Sequence, residues 1–176
     1  MARKLLQLWH HTTADQHLRA GQHLDNGYIL SHSGSDQFDR VQPSDTVWCA
    51  TVDTSGDLIL LGRIRVDEVA DYYSARQRLG EDIWESKYHV IAKSGTEEPL
   101  REVDLMDVAE DLRFVSKVND RLDVRFGRVN AQQLQTMREL TPGSAAMLEE
   151  KWSSNEPQRV KHRTHRLRRR FGGSLR

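Results

Sequence analysis

The histidines are the side chains of this chain that most readily suggest chemistry. Four of the eight lie within fourteen positions, at His10, His11, His17 and His23. A helical zinc site needs two imidazoles four residues apart, whereas His17 and His23 are six apart. The single cysteine, Cys49, has no second thiolate to complete a site. We therefore predict no metal site and no cofactor.

Two segments share the pattern H-x-T, which is found twice in two-histidine phosphoesterases, where the imidazoles act as general acid and base. They are residues 10–12 and 162–164. Catalysis needs both groups held within about half an ångström of their working positions. The second copy lies in a basic segment with nothing to hold its imidazole in place. We keep this enzyme as an alternative and predict a protein without catalysis.

Aromatic side chains offer a different chemistry, because flat rings stack on unpaired or flipped nucleobases. Five of them fall at predicted strand ends or in loops that join the sheet: Tyr28, Trp48, Tyr72, Tyr73 and Trp84. Trp48 lies inside a strand and suits the core as well as a pocket. Trp84 lies among charged residues and suits a pocket wall or the surface.

Two arginines, Arg125 and Arg128, bracket Phe126 and Gly127. Such a cluster suits phosphate contacts beside a base pocket. The alternative is a surface turn whose phenylalanine packs into the core.

Formal net charge is zero, with 26 basic and 26 acidic side chains, but the charges are unevenly distributed. Residues 158–176 contain eight basic side chains and no acidic one, which leaves 18 basic against 26 acidic side chains in residues 1–157, a charge of −8. A basic tail on an acidic body is typical of a nucleic-acid-binding arm, and equally of a solvated terminus. We predict one domain over 1–154 and a disordered basic tail over 155–176.

The chain has 176 residues, of which 37% are hydrophobic and 30% charged, a size and composition typical of one globular domain. No apolar run approaches the roughly 18 residues that span a bilayer, so we predict no contact with membranes. A lone cysteine favours a reducing compartment, and we expect a cytoplasmic protein.

The pattern of apolar residues predicts an α+β fold. Its clearest signal is a β-hairpin of strands 46–52 and 58–66 around the turn 53–57. Alternation places five residues of the second arm on one face: Leu58, Leu60, Gly62, Ile64 and Val66. Further strands are predicted over 5–9, 28–30, 88–92 and 114–115, and a loop over 32–39. Helices are predicted over 14–20, capped by Thr12 or Thr13, and over 71–79, 99–111, 130–137 and 142–152.

Such a set of strands and helices predicts a mixed, mostly antiparallel sheet curled into a small barrel, with helices packed outside it. The order of the pieces resembles the PUA-like superfamily, and within it the EVE and YTH branches. One matching stretch is the strand and helix start over 5–13, followed by residues 27–31. Another is the hairpin from Asp45-Thr46-Val47-Trp48 through Gly56 to 61–64. The last joins 112–114, 125–128 and 137–140, so that the resemblance covers about residues 4–152.

The resemblance implies a small PUA-like β-barrel flanked by helices that reads nucleic acid. YTH and the related SRA domains insert a modified base into an aromatic pocket, and some EVE domains are joined to nucleases. Matched by position, Tyr28 is the aromatic of the second strand, where tryptophan is usual, and Ser31 and Ser33 follow it. Trp84 is the aromatic from the loop after the hairpin, a role that Tyr72 and Tyr73 share as alternatives. His10 or Thr12 is the polar group at the strand end.

We therefore predict a non-catalytic module that reads a modified base of DNA or RNA, with a nuclease as a further partner. Its base pocket is predicted from eight residues: His10, Thr12, Tyr28, Ser31, His32, Ser33, Trp48 and Trp84. Arg125 and Arg128 are the predicted phosphate contacts. The alternatives are a protein-interaction adaptor with the same fold and, less favoured by the residues, the two-histidine phosphoesterase.

Overall fold

The structure is a computed structural model and describes residues 1–80 and 82–155. It contains eleven strands in these ranges: β1 (Lys4–Trp9), β2 (Ile29–Leu30), β3 (His32–Gly34), β4 (Thr46–Val52), β5 (Leu58–Asp71), β6 (Tyr88–Ala92), β7 (Glu98–Pro99), β8 (Val103–Asp104), β9 (Val124–Arg125), β10 (Arg128–Val129) and β11 (Arg138–Glu139). The helices of the same ranges are α1 (His11–Gly21), α2 (Tyr72–Leu79) and α3 (Pro142–Ser154). Except for Asn155, the predicted basic tail lies outside the described residues, as does the second H-x-T segment.

The main sheet runs in the order β11-β1-β4-β5-β6-β3, and β8 also pairs with β5. Among the described strands of this sheet, β1 and β4 form the one parallel pair, so the prediction of an α+β fold with a mixed, mostly antiparallel sheet is confirmed. The sheet coils until β3 faces β1, where the hydroxyl of Ser33 donates to Oε1 of Gln7 at 3.1 Å. The described strands form no closed barrel.

A β-bulge divides the central hairpin. Cys49 pairs with Gly62 but Ala50 pairs with Leu60, which leaves Leu61 as the extra residue. A bulge shifts the alternation of side chains, and so the prediction that one face continues from 58 to 66 is wrong. Leu60 packs into one apolar cluster, whereas Leu61, Ile64 and Val66 pack into another.

The two apolar clusters lie on opposite faces of the sheet. One packs α3 against β4, and its centre is an edge-to-face pair of Trp48 and Trp152 with ring centroids 6.3 Å apart. The other packs Ala14 of α1 against Val47 of β4. Helices α1 and α3 therefore pack on opposite faces of a sheet that does not close, whereas they were predicted outside a barrel.

The helices predicted over 71–79 and 142–152 are confirmed, and a side chain caps the start of each. Asp71 caps α2 and Thr141 caps α3, each by accepting a backbone N–H three residues on. Helix α1 begins earlier than predicted, because Nδ1 of His10 accepts from the backbone N–H of Thr12 and replaces the threonines as cap. Asn130 caps as predicted, but the helix after it is one 3-10 turn over Ala131–Leu134.

The helix predicted over 99–111 is wrong. This segment forms the end of β7, then β8 and the 3-10 turn Ala109–Asp111. Val103 pairs with Leu60, so the backbone of the segment bonds to β5 instead of to itself. Pairing of this kind overrides a weak helical stripe. The predicted loop 32–39 is likewise ordered into β3 and the 3-10 helix Asp36–Arg40, and the predicted strand at 114–115 is one isolated bridge between Phe114 and Leu140.

No helix within 1–80 or 82–155 is both long enough and apolar enough to cross a membrane.

Candidate functional site

An open cleft of about 490 Å³ lies where β1 ends. Its lining comes from Trp9 and His10, from α1, from Tyr28 before β2, from β3, and from residues 82–86. Five of the eight predicted pocket residues line it: His10, Tyr28, His32, Ser33 and Trp84. These residues are separated by up to 74 positions in the sequence, and the coiling of the sheet brings β3 beside β1.

One wall of the cleft is a row of rings. The imidazole of His17 lies 5.5 Å from the indole of Trp9 and 4.4 Å from the ring of Tyr28, measured between centroids. Burial lowers the pKa of His17 and raises the pKa of Tyr28, so both are uncharged at neutral pH. The row therefore presents a neutral surface suited to a flat ligand.

Trp84 contributes a fourth ring from a different segment. Its side chain is 74% exposed, although the residue lines the cleft. The segment that carries it is tied to the 3-10 helix before β4, because Oδ1 of Asp36 accepts from the backbone N–H of Lys87 at 2.8 Å. An exposed indole held at the rim of a cleft is available to a ligand without first leaving the core.

The polar side of the cleft is built around two imidazoles. His32 lines it, and burial lowers the pKa of His32, with smaller effects of the same sign from His89 and His17. His89 is fully buried behind it, and its Nε2 lies 3.2 Å from the hydroxyl of Ser86. Burial also lowers the pKa of His89, and a hydrogen bond with the backbone of Trp84 partly opposes this shift. Both imidazoles are neutral at pH 7 and serve as donors or acceptors according to tautomer.

Gly34 is required where β3 passes these imidazoles. A Cβ at this position would lie 2.5 Å from Oγ of Ser86 and 2.8 Å from Cε1 of His89. The Nδ1 atom of His89 makes no hydrogen bond of standard geometry within the described residues. A buried polar atom therefore lies immediately behind a residue of the cleft.

The aspartates and glutamate that line the cleft are not balanced by basic side chains of the described residues. Asp36, Asp82 and Glu85 line it, and no lysine or arginine of the described residues does. The cleft therefore attracts cations and disfavours a phosphate group inside it.

Three predicted pocket residues do not line the cleft. The prediction for Trp48 is wrong: its side chain is 0% exposed and packs in the core against Trp152. Strand β4 is covered on both faces, so an indole inside it has no route to the surface. Thr12 is exposed, and its Oγ1 lies 2.8 Å from Nδ1 of His10. Thr13 lines the cleft in its place. Ser31 instead lies beside His32, with Oγ 3.2 Å from Nδ1.

The predicted phosphate contacts lie on a separate hairpin formed by β9 and β10. Arg125 and Arg128 are exposed there, and neither lines the cleft. Arg125 pairs with Asp123 at 2.6 Å, and the side chain of Arg128 covers Gly56 in the turn between β4 and β5. Phe126 is fully exposed at the tip, so the alternative in which it packs into the core is wrong. Because β1 runs parallel to β4, this hairpin and the cleft lie toward the same end of the sheet.

Sequence reasoning missed several residues of the cleft. His17 shares the buried face of α1 with Ala14 and Gly21, and this spacing was a signal that it points inward. Asp36, Asp82 and Glu85 carried no such signal, because they come together through contacts between distant segments, such as the hydrogen bond between Asp36 and Lys87. Tyr72 and Tyr73 stand outside the lining. Within the described residues, no group of three or more histidine, cysteine, aspartate or glutamate side chains is placed to hold a metal ion.

A scan against protein-family models, a search of curated proteins and a search of solved structures found no match to this chain.

Proposed function

We propose that the chain is a non-catalytic nucleic-acid-binding module that takes an unpaired or flipped base of DNA or RNA into this cleft. The observation that carries the proposal is that Tyr28 and Trp84, 56 positions apart in sequence, line one cleft. Its volume of about 490 Å³ is in the range of small-molecule sites. The neighbouring neutral imidazoles supply donors and acceptors for the edge of a base.

The energetics favour such a ligand. Extracting a base from a duplex costs a few kcal/mol, and an already unpaired base avoids this cost. Stacking on an aromatic side chain returns about 1–3 kcal/mol per base. A methyl group on the base adds apolar area that is removed from water against the rings. A modified base in a single strand is therefore the most favourable target.

The proposal includes a PUA-like fold of the EVE type. Two residues that the resemblance assigns to a base pocket, Tyr28 and Trp84, share one cleft, and this supports it. The hydrogen bond between Ser33 and Gln7 supports it as well, because it draws the free strand β3 toward β1 as barrel closure requires.

Phosphate contacts in this proposal come from outside the cleft. The exposed Arg125 and Arg128 lie toward the same end of the sheet, and the basic residues of 156–176 provide further positive charge. Binding through these groups weakens with salt, because each neutralised phosphate releases counterions.

The test is equilibrium binding of plain and methylated single-stranded DNA and RNA oligonucleotides. We expect Tyr28→Ala and Trp84→Ala each to weaken binding at least about fivefold, the equivalent of roughly 1 kcal/mol of lost stacking. Tyr73→Ala is the matched control, since it removes an exposed ring outside the cleft. If both cleft variants bind like the parent while the proteins stay folded, the base site is elsewhere.

A protein-interaction adaptor is the second candidate, favoured by the charge of −8 on residues 1–157. An adaptor would bind none of the oligonucleotides at any salt concentration. The two-histidine phosphoesterase requires hydrolysis of a phosphodiester that is lost in His10→Ala. His10 is exposed and contacts Thr12, and its partner segment 162–164 lies outside the described residues.

A further inference from the structure

The charges around the cleft distinguish among the bases that would fit it. Asp36, Asp82 and Glu85 line the cleft, and none of them forms an ion pair within the described residues. Asp82 and Glu85 flank the exposed Trp84 in sequence, so two carboxylates lie on the segment that carries the indole. Any ligand that stacks on Trp84 is therefore close to carboxylates that pair with no cation of the described residues.

The aromatic rings of the cleft also favour a positively charged ligand. The face of a tryptophan or tyrosine ring carries the negative part of its quadrupole and attracts cations. The imidazoles of His17 and His32 do not oppose this, because burial holds both in the neutral form at neutral pH. No lysine or arginine side chain of the described residues lines the cleft to repel a positive ligand.

The groups behind the lining add no positive charge either. The fully buried His89 has its Nε2 3.2 Å from the hydroxyl of Ser86. Burial lowers the pKa of His89, so this imidazole is neutral at neutral pH. Within the described residues, a positive ligand in the cleft therefore meets no cationic neighbour.

We propose that the cleft selects a base that is positively charged because a ring nitrogen is methylated, as in 1-methyladenine or 3-methylcytosine. This inference rests on the proposed function and names its ligand. A methyl group on the ring nitrogen leaves these bases cationic at neutral pH. The charge strengthens stacking on Trp84 and Tyr28, and the carboxylates of Asp82 and Glu85 attract it. A neutral base gains from stacking alone.

The test compares two single-stranded oligonucleotides that differ in the position of one methyl group and in the charge that follows from it. One carries 1-methyladenine, which is protonated and cationic at neutral pH, and the other carries N6-methyladenine, which is neutral and has the same non-hydrogen atoms. Both present the same phosphates, so any difference in affinity reports the base. We expect the 1-methyladenine strand to bind about tenfold more tightly at neutral pH.

The double variant Asp82→Asn/Glu85→Gln tests the origin of this preference. We expect it to reduce the preference to about twofold or less while affinity for the N6-methyladenine strand stays within about twofold of the parent. Glu102→Gln is the matched control, since Glu102 is exposed and does not line the cleft. It should leave the preference intact.

Three results would overturn the inference, and they are distinguishable. Equal affinity for the two strands, with binding lost in Trp84→Ala, rejects charge selection but leaves the base site. A preference that survives in the double variant rejects the carboxylates as its source. Binding of neither strand, together with tight binding of tetramethylammonium, rejects both this inference and the proposed function in favour of an ammonium ligand.

Discussion

Two hollows of this molecule invite comparison, and the larger one is the weaker candidate. The larger, of about 1160 Å³, is lined by residues between 110 and 138. Its lining mixes four acidic with three basic side chains and contains no aromatic residue of the described ranges. Arg121 lies 3.7 Å from Asp120, and Asp123 pairs with Arg125 at 2.6 Å. The smaller cleft is lined by three carboxylates, by no lysine or arginine of the described residues, and by a row of uncharged rings.

The difference shows that volume alone does not identify a site. A hollow lined by nearly balanced charges and by no aromatic ring attracts neither a charged nor a flat ligand strongly. A cleft lined by charges of one sign and by accessible rings offers new contacts to a ligand of the opposite charge. The predictions below test whether the smaller cleft has this character, beginning with the largest expected effect.

The first prediction separates the two tryptophans that the sequence placed in one pocket. Trp48→Ala should reduce the free energy of unfolding by about 3–5 kcal/mol, because it empties a fully buried site against Trp152. Trp84→Ala should change it by less than about 0.5 kcal/mol, because that indole is mostly exposed. Urea unfolding of both variants measures the difference, and comparable losses would mean that Trp84 belongs to the core.

The second prediction concerns the packing behind the cleft. Gly34→Ala should destabilise the protein by about 1–3 kcal/mol, since the added methyl would overlap Ser86 and His89. Gly143→Ala is the control, because Gly143 lies in α3 with nothing within 4 Å of the added Cβ. It should be neutral or stabilise by up to about 1 kcal/mol, as helix propensity predicts. Thermal unfolding that ranks the two variants equally would contradict the close approach at Gly34.

The third prediction is a dependence of stability on pH that originates in the cleft. Burial lowers the pKa of His17, His32 and His89 from the ordinary value of 6.5. Below pH 6.5 the unfolded chain binds protons that the folded protein binds less readily. The free energy of unfolding therefore decreases as the pH is lowered. Above it both states are neutral and these groups contribute no slope.

Denaturant unfolding between about pH 7 and pH 5.5 checks the sign. His32→Gln should show a smaller fall in the free energy of unfolding over this interval than the parent. His23→Gln, which replaces an exposed histidine, should show the same fall as the parent. A rise in stability on acidification within this window would contradict neutral imidazoles in the cleft.

The fourth and smallest effect on stability belongs to the β9–β10 hairpin. Arg125→Ala/Arg128→Ala should change the free energy of unfolding by less than about 1 kcal/mol, because the pair with Asp123 is exposed. If these residues contact phosphates, the slope of binding against salt should fall by about two. The ratio of affinities for modified and plain bases should stay unchanged. A change in that ratio would place the hairpin in base recognition.

Features with local causes could be predicted from the sequence. The central hairpin follows from two apolar runs around a turn, and the caps Asp71 and Thr141 lie next to the helices that they begin. The bulge at Leu61 could not be predicted, because it depends on how β5 pairs with β4. The strand pairing within 99–111 could not be predicted for the same reason, because Val103 pairs with Leu60, about forty residues earlier in the chain.

The candidate site likewise combines features with local causes and features that depend on long-range contacts. Trp84 stood out as an aromatic residue among charged ones, and Tyr28 was the aromatic that the resemblance matched on the second strand. The sequence around Trp48 did not predict that both faces of its strand are covered, because α1 and α3 provide that cover only in the folded protein. The carboxylate of Asp36 enters the cleft through a contact with Lys87, 51 residues along the chain. The polarity of the cleft therefore emerges only in the folded protein.

The central claim, that a base stacks in the smaller cleft, is tested most directly through the indole N–H signals of the four tryptophans. We predict that titration with an oligonucleotide carrying 1-methyladenine shifts the nuclear magnetic resonance signals of Trp84 and Trp9, while those of the buried Trp48 and Trp152 stay in place. An oligonucleotide that binds without moving the signal of Trp84 would contradict the account.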